Sequence, residues 1–329
     1  MASAFTTEPV TYLDVAKRAD PNMGIDSVVE ILSLFSPLVK DAHTIESNQE
    51  MSHKITRRSK LPSGTWRGFN QGVLATKSET TQVVEDIGNL EEYALVDKDL
   101  ADLNGNTAEF MLSESVAHLQ SMAQEVESKS WYGDGTTANS FQGFTPRFNA
   151  LSGGNSGQVV DAGSSGDNNH SIWLVTWGPL TAAMLYPKGS FAGIQMTDQG
   201  QQTTHVTPDL TTNKAGQFEA YQVHFKWRPG LMVRDPRYIV RIGNITNGVT
   251  ESLVPLLIEA QHKLFSQGVG TPMLYMNRTV ATALDKEAQA QGNVNLVHRE
   301  YGGEYVLHFR NMPIRETDGL LDGTEATIV

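Results

Sequence analysis

Cysteine is absent from this 329-residue chain, so disulfides and thiolate metal sites are excluded and the redox compartment leaves no mark on the fold. Long apolar runs are absent too. No stretch approaches the roughly 20 apolar residues of a membrane span, and the opening MASAFTTEPVTYLDVAKR lacks a basic region followed by an apolar run. The expectation is a chain made in the cytosol, unprocessed and without a membrane partner. Positive charge is scarce: 25 Lys and Arg stand against 37 Asp and Glu, a net charge of -12. That balance argues against a protein that wraps phosphate, which needs clustered cations. Also missing are G-x-G-x-x-G, a phosphate-binding loop, a G-x-S-x-G elbow and H-E-x-x-H, so no local signature of catalysis or of a cofactor is present.

Asp97, Asp99 and Asp102 are the nearest thing to a metal loop. They lack the order and the distant Glu of a calcium loop and read as a solvated acidic face. The nine histidines form no i, i+4 pair that would suggest ligands. The chain is expected to carry no metal, no cofactor and no catalytic residues.

What is present is a contrast of charge. Residues 51–78 carry Lys54, Arg57, Arg58, Lys60, Arg67 and Lys77 and no acid, whereas 79–102 carry eight acids and one base, Lys98. From His53 to about Leu95 the composition is that of extended chain, with turn signals at Pro62-Ser63-Gly64 and Asn70-Gln71-Gly72. As one hairpin its arms reach roughly 50–65 Å at about 3.3 Å per residue. A compact chain of this size has a radius of gyration of only about 20 Å, so such a hairpin leaves its own body. The alternative is a disordered surface insertion; against it stand Trp66, Phe69, Val73, Val83 and Val84, which are costly to leave in water and point to order on a partner surface.

Around the hairpin the pattern is mixed. GIDSVVEILSLFSPLVK has helical spacing at Val28, Val29, Leu32, Phe35 and Leu38, with Pro37 expected to end it. Asn106 and Glu109 have capping-box spacing and open the longest helix, with Leu112, Val116, Leu119, Ala123 and Val126 expected on its buried side. SIWLVTW reads as a buried strand, and 218–245 as a pair of alternating strands turning at Arg228-Pro229-Gly230. A helix over 251–265, the strand TPMLYMN, the helix RTVATALDKEAQAQ and the strands NLVHRE, YVLHFR and MPIRE complete an α+β chain. A projecting hairpin, a detached arm and no site describe a protein whose partner is another copy of itself, through heterologous contacts that close into rings.

In this order the arm, the hairpin, LEEYALVDKDLADLNGN, the long helix and WYGDGTTANSFQGFTPRF resemble the major capsid proteins of tailed bacteriophages. Tyr132, Gly133 and Asp134 stand as the family's aromatic-Gly-Asp turn, and Gly143 and Phe144 as its Gly-aromatic pair. KWRPGLMVRDPRYIVRIGNI, MLYMNRTVATALDKEAQ and FRNMPIRETDGLLDGTEA sharpen the likeness to the short-tailed phage (podovirus) subgroup. The resemblance implies an N-terminal arm with a short helix (1–49), an extended loop (50–92), a peripheral domain with a spine helix (93–133), an axial domain (134–214 and 247–329) and peripheral long strands (215–246). In the commoner family arrangement a segment like YMNRT precedes the peripheral strands. Here it follows them, which favours a permuted connection; Asn311 also stands where the family often has glycine.

The implied function is a virion capsid protein, assembled in the host cytoplasm, that forms pentamers and hexamers of an icosahedral shell around double-stranded DNA without binding it sequence-specifically. A separate scaffolding protein, a portal and a decoration protein are the implied partners. The loop would lie on a neighbouring copy, so Lys54, Arg57, Arg58, Lys60, Trp66, Arg67 and Phe69 are expected to face acids such as Glu109, Glu114, Glu125 or Glu127 of that copy. Two other readings are a cellular nanocompartment shell of the same fold, told apart by the nucleic-acid content of particles, and an α+β hydrolase with a long lid, told apart by size-exclusion chromatography.

Overall fold

The computed structural model describes residues 37–102, 107–136, 140–206, 216–265, 269–291, 296–301 and 304–329. Of the amphipathic segment expected over 24–40, the part before residue 37 lies outside these residues, as does the cap at Asn106. The chain begins with α1 (Leu38–Asp41), β1 (Thr44–Glu46), β2 (Ser52–Lys60), β3 (Glu79–Asp86), β4 (Leu90–Asp97), α2 (Lys98–Asp102) and the long α3 (Thr107–Tyr132). Then come β5 (Val159–Asp161), β6 (Asn169–Trp177), β7 (Ala182–Tyr186), β8 (Gln195–Val206), β9 (Gly216–Trp227), β10 (Gly230–Val233) and β11 (Ile239–Thr246). It closes with α4 (Leu253–Lys263), β12 (Thr271–Met276), α5 (Arg278–Gln291), β13 (Leu296–Tyr301), β14 (Glu304–Phe309) and β15 (Met312–Glu316). Pro37 precedes α1, where its fixed φ suits a helix's first turn; whether it also ends the expected helix falls outside the described residues.

Two compact units result. The larger takes in Leu34–Gly88, Val126–Ala192 and Pro229–Val329. Its ten-stranded mixed sheet runs β1-β7-β6-β12-β15-β14-β13, with β10 on β7 and β11 on β6 and β5. Every residue of β6 is buried, which explains the unbroken apolar run of SIWLVTW: both faces of the sheet are covered. One face packs Ile172, Leu174, Val240, Ile242 and Leu274 against Leu253, Leu257, Val280 and Leu284 of the two helices. On the alternate positions Trp173, Trp177 and Tyr275 join Trp131, Phe144 and Phe148 in an aromatic cluster with ring centroids 5.4–6.0 Å apart. The turn into β15 closes with Arg310, not Asn311, at positive φ (53°).

The two family-like glycines gain a physical reason here. Gly143 N–H donates to Gly133 O at 2.7 Å and Phe144 N–H to Ser130 O at 2.9 Å, so this segment lies flat on the end of α3. A Cβ on Gly133 would sit 2.6 Å from the Lys129 and Phe141 carbonyl oxygens, and one on Gly143 2.6 Å from Lys129 O. These obstacles are backbone and cannot rotate away. Gly143→Ala is therefore expected to cost about 1–3 kcal/mol through forced backbone shifts, read as a lower thermal midpoint of unfolding.

The smaller unit takes in Asn89–Glu125 and Gly193–Arg228. Its antiparallel sheet, β4-β9-β8, buries Ala94, Val96, Val223 and Phe225, and Val96 packs with Ala101 and Phe110. The expected pair of peripheral strands over 215–246 divides between units. β9 stays here, while β10 and β11 belong to the ten-stranded sheet, where β11 is buried on both faces and not on one. The loop's expected end at residue 92 moves as well, since β4 joins the smaller sheet.

Candidate subunit interface

The hairpin is a single one. β2 pairs with β3 antiparallel from Ser52–Asp86 to Lys60–Glu79, with a bulge between Arg58 and Lys60. Three residues further along each arm the Thr76 hydroxyl donates to Ser63 O at 3.0 Å, and five further Gly68 N–H donates to the Gln71 side chain at 3.1 Å. One register therefore runs to the tip, where Asn70 takes a left-handed φ of 62° that asparagine tolerates. The expected turn at Pro62-Ser63-Gly64 does not form, and the other is centred on Phe69-Asn70 rather than Asn70-Gln71-Gly72. All of residues 61–78 are exposed, including Trp66 and Phe69, which retain essentially their full accessible surface.

The basic residues divide into two sets. Lys54, Arg58, Lys60 and Arg67 are exposed; Lys60 lies 3.7 Å from Glu79 across the hairpin, and Arg67 donates to Gln71 O at 3.1 Å. Arg57 turns inward: its Nε donates to Arg234 O at 2.8 Å and its Nη2 to Val233 O. The acids divide likewise. Glu109 and Glu125 are exposed on α3, whereas Glu114 is buried and Glu127 is wholly buried, accepting from the Thr317 hydroxyl of its own chain. Glu127 thus presents no carboxylate to a neighbour.

On α3 the stripe expected to be buried is open only at one end: Leu112 is 65% and Val116 48% exposed, Leu119 and Ala123 are half-buried and Val126 is buried, as are Phe110, Ser115 and Met122 off the stripe. At 3.6 residues per turn Phe110, Ser115 and Met122 lie about 80–140° around the helix from Leu112 and Val116, not along their stripe. Apolar residues occur on more than one side of the helix, so periodicity alone could not say which side meets the sheet. The buried face also holds His118, hydrogen-bonded to Glu92 at 2.7 Å and stacked 5.8 Å from Phe225. On the open face of the small sheet Glu91 is held down to about 2 by the Lys226 ammonium at 2.5 Å, with Asn89 and His224 adding to it.

Sequence reasoning missed the base of the hairpin. Glu85 is buried and meets Arg147 in a bidentate pair at 2.6 and 2.7 Å, although the two are 62 residues apart in the chain. Ile55 and Ile87 pack on Ala183, Leu185 and Met232, and the Asn48 side chain clasps both the N–H and the C=O of Lys54 at 2.8 Å. His53 Nδ1 accepts from Asn48 N–H at 3.2 Å.

Two histidines make the two units respond to pH in opposite senses. Burial pulls His53 below the ordinary 6.5, helped by Arg234 and opposed by Glu85. Its contribution to stability is present above 6.5 and is lost as pH falls through the lowered value. The hydrogen bond to Glu92 raises His118, against burial, so its contribution is present below 6.5 and is lost as pH rises through the raised value. Hydrogen exchange corrected for intrinsic rate is expected to quicken at 48–54 on going from about pH 7 to about pH 5, and around 114–122 on going from about pH 6 to about pH 8. Equal protection at all these pH values would contradict both assignments.

Among the described residues no group of three or more His, Asp or Glu side chains is placed to hold a metal ion, and no helix is long and apolar enough to cross a membrane. Solved structures resemble this chain over most of its length. A chain from the cryo-EM structure of bacteriophage epsilon15 is 32% identical over 99% of this chain and 100% of its own, with a TM-score of 0.74. The capsid of bacteriophage JBD30 follows at 12% identity, 96% and 97% coverage and TM-score 0.48. The SrpI encapsulin of Synechococcus elongatus stands at 8%, 72% and 96% coverage and 0.44. No curated protein sequence matches. The family model for major capsid protein GP7 matches residues 20–329, and the chain belongs to that family. It is a phage capsid protein of mixed α+β fold, a building block of the virion shell and not an enzyme.

Proposed function

We propose that this chain assembles through pentamers and hexamers into an icosahedral shell around double-stranded DNA, in the host cytoplasm and with a separate scaffolding protein, a portal and a decoration protein as partners. In this assembly the hairpin of each copy lies on α3 of the next. The observation that carries the reading is the run of exposed residues from 61 to 78, in one extended register and tipped by Trp66 and Phe69. A chain in water gains nothing from holding two aromatic rings free of its own body, and burying each on a partner contributes about 1.5–3 kcal/mol. The open stripe of Leu112 and Val116, flanked by exposed Glu109, has the matching chemistry: apolar for the rings, acidic for Arg58, Lys60 or Arg67.

Exposed ion pairs contribute about 0–1 kcal/mol each, so in this reading the charges select partner and register while the rings supply affinity. Electron microscopy of the expressed protein tests the assembly, and Lys54→Glu with Arg58→Glu tests the charge match. These two side chains are exposed, so the fold of the subunit should be unchanged while particle yield falls. Wild-type yield with unchanged salt dependence would refute the charge pairing.

A further inference from the structure

We propose that Glu85 is the positioning residue that aims the hairpin, acting through Arg147; the proposal rests on the reading that the hairpin bridges copies. Beyond Lys60 and Glu79 every described residue of the hairpin is exposed, so only its base can set its direction. From Ser52 to Phe69 at ~3.3 Å per residue the arm is about 55 Å long, and a tilt of about 10° at the base moves the tip by roughly 10 Å. That exceeds the reach of any side chain at the tip. Packing of Ile55 and Ile87 on Ala183, Leu185 and Met232 holds the base down, but apolar contact is non-directional and leaves rotation weakly defined.

Two side-chain struts, one on each strand, add direction to the backbone contacts of the base, where Ile87 bridges Gly230 and Gly88 N–H donates to Pro229 O at 2.8 Å. From β2, Arg57 donates to the carbonyls of Val233 and Arg234 at the end of β10. From β3, Glu85 takes both terminal nitrogens of Arg147, a planar fork whose geometry fixes angle as well as distance. Arg147 is itself fixed, donating from Nε to Gly143 O and from Nη2 to Gln142 O, both at 3.0 Å, in the segment that lies on the end of α3. Arg57 Nη2 stands 4.0 Å from Glu85, so one carboxylate links both struts. A buried ion pair is weak evidence for net stability, and its best-attested role is to fix register and specificity.

The test uses the full chain with Glu85→Gln, Glu85→Asp and the exchanged pair Glu85→Arg with Arg147→Glu. Hydrogen exchange is read at 52–60 and 79–86 against β6 and β11, and particle yield is read by electron microscopy. In Glu85→Gln the base should exchange about tenfold faster or more, β6 and β11 should stay protected, and yield should fall. Glu85→Asp or the exchanged pair should recover part of both. Wild-type exchange at the base overturns the proposal, and so does a loosened base with wild-type particle yield. If Trp66→Ala with Phe69→Ala also left yield intact, the bridging reading itself would fall. If that variant failed to assemble while Glu85→Gln assembled normally, only the aiming role would fall.

Discussion

Arg241→Ala is expected to lower the stability of the larger unit by about 3–5 kcal/mol, the cost of leaving one member of a buried ion pair uncompensated. Arg241 is 1% exposed in the centre of β11, on the aromatic face of the sheet. Its Nη2 donates to Glu325 at 2.9 Å, its Nη1 to Phe148 O at 3.1 Å and its Nε to the Ser171 hydroxyl at 3.1 Å, and the guanidinium lies 5.1 Å from the centroid of Trp173. Glu325 also accepts from Ser171 and Tyr132, and its backbone bridges to Asn169. The cluster therefore ties the C-terminal segment to the sheet and to the last turn of α3. Truncation leaves the Glu325 carboxylate, which is 4% exposed, without its guanidinium partner. Denaturant unfolding with a probe in the larger unit measures the loss. Replacing both partners by apolar residues, Arg241→Met with Glu325→Leu, should cost distinctly less than the single change, because no charge remains to be stranded. Equal losses would show that shape, not charge, accounts for the effect.

Trp66→Ala with Phe69→Ala is expected to separate stability from assembly more sharply than any other change. Both side chains are fully exposed, so the folded subunit should keep its denaturant midpoint within about 0.5 kcal/mol. Each interface, if the rings are its anchors, loses about 4 kcal/mol, roughly three orders of magnitude in the association constant of a single contact. A shell multiplies that loss over every contact, so particles should be absent at concentrations where the wild type assembles. Sedimentation velocity and electron microscopy check the outcome. Normal particles from this variant would show that the tip is not an anchor.

Much of the chain was legible before the structure. The all-buried β6, the long helix, α4, α5 and the run of β12 to β15 follow from local patterns, since period and turn residues act over a few neighbours. The hairpin was legible for the same reason, and its contrast in charge pointed outward from the chain. Several features were not legible. The division of 215–246 between two sheets depends on which strands find partners, and alternation in Tyr221, Val223, Phe225 and Trp227 reads the same in either sheet. The buried side of α3 depends on which other segments pack against it, so Leu112 and Val116 of the expected stripe are open surface while Val126 of the same stripe is core.

Sequence by itself determined the kinds of elements here, their order and the presence of a basic, aromatic-tipped hairpin, because each is written in residues that are neighbours in the chain. Tertiary structure alone decided that Arg57 turns inward and Arg58 outward, that Glu127 is buried and Glu125 exposed, and that Glu85 meets Arg147. Those choices turn on pairings between residues 60 to 190 positions apart, such as Arg147 with Glu85 and Glu127 with Thr317. No local energy encodes such pairings, since they exist only once separate segments have closed on one another.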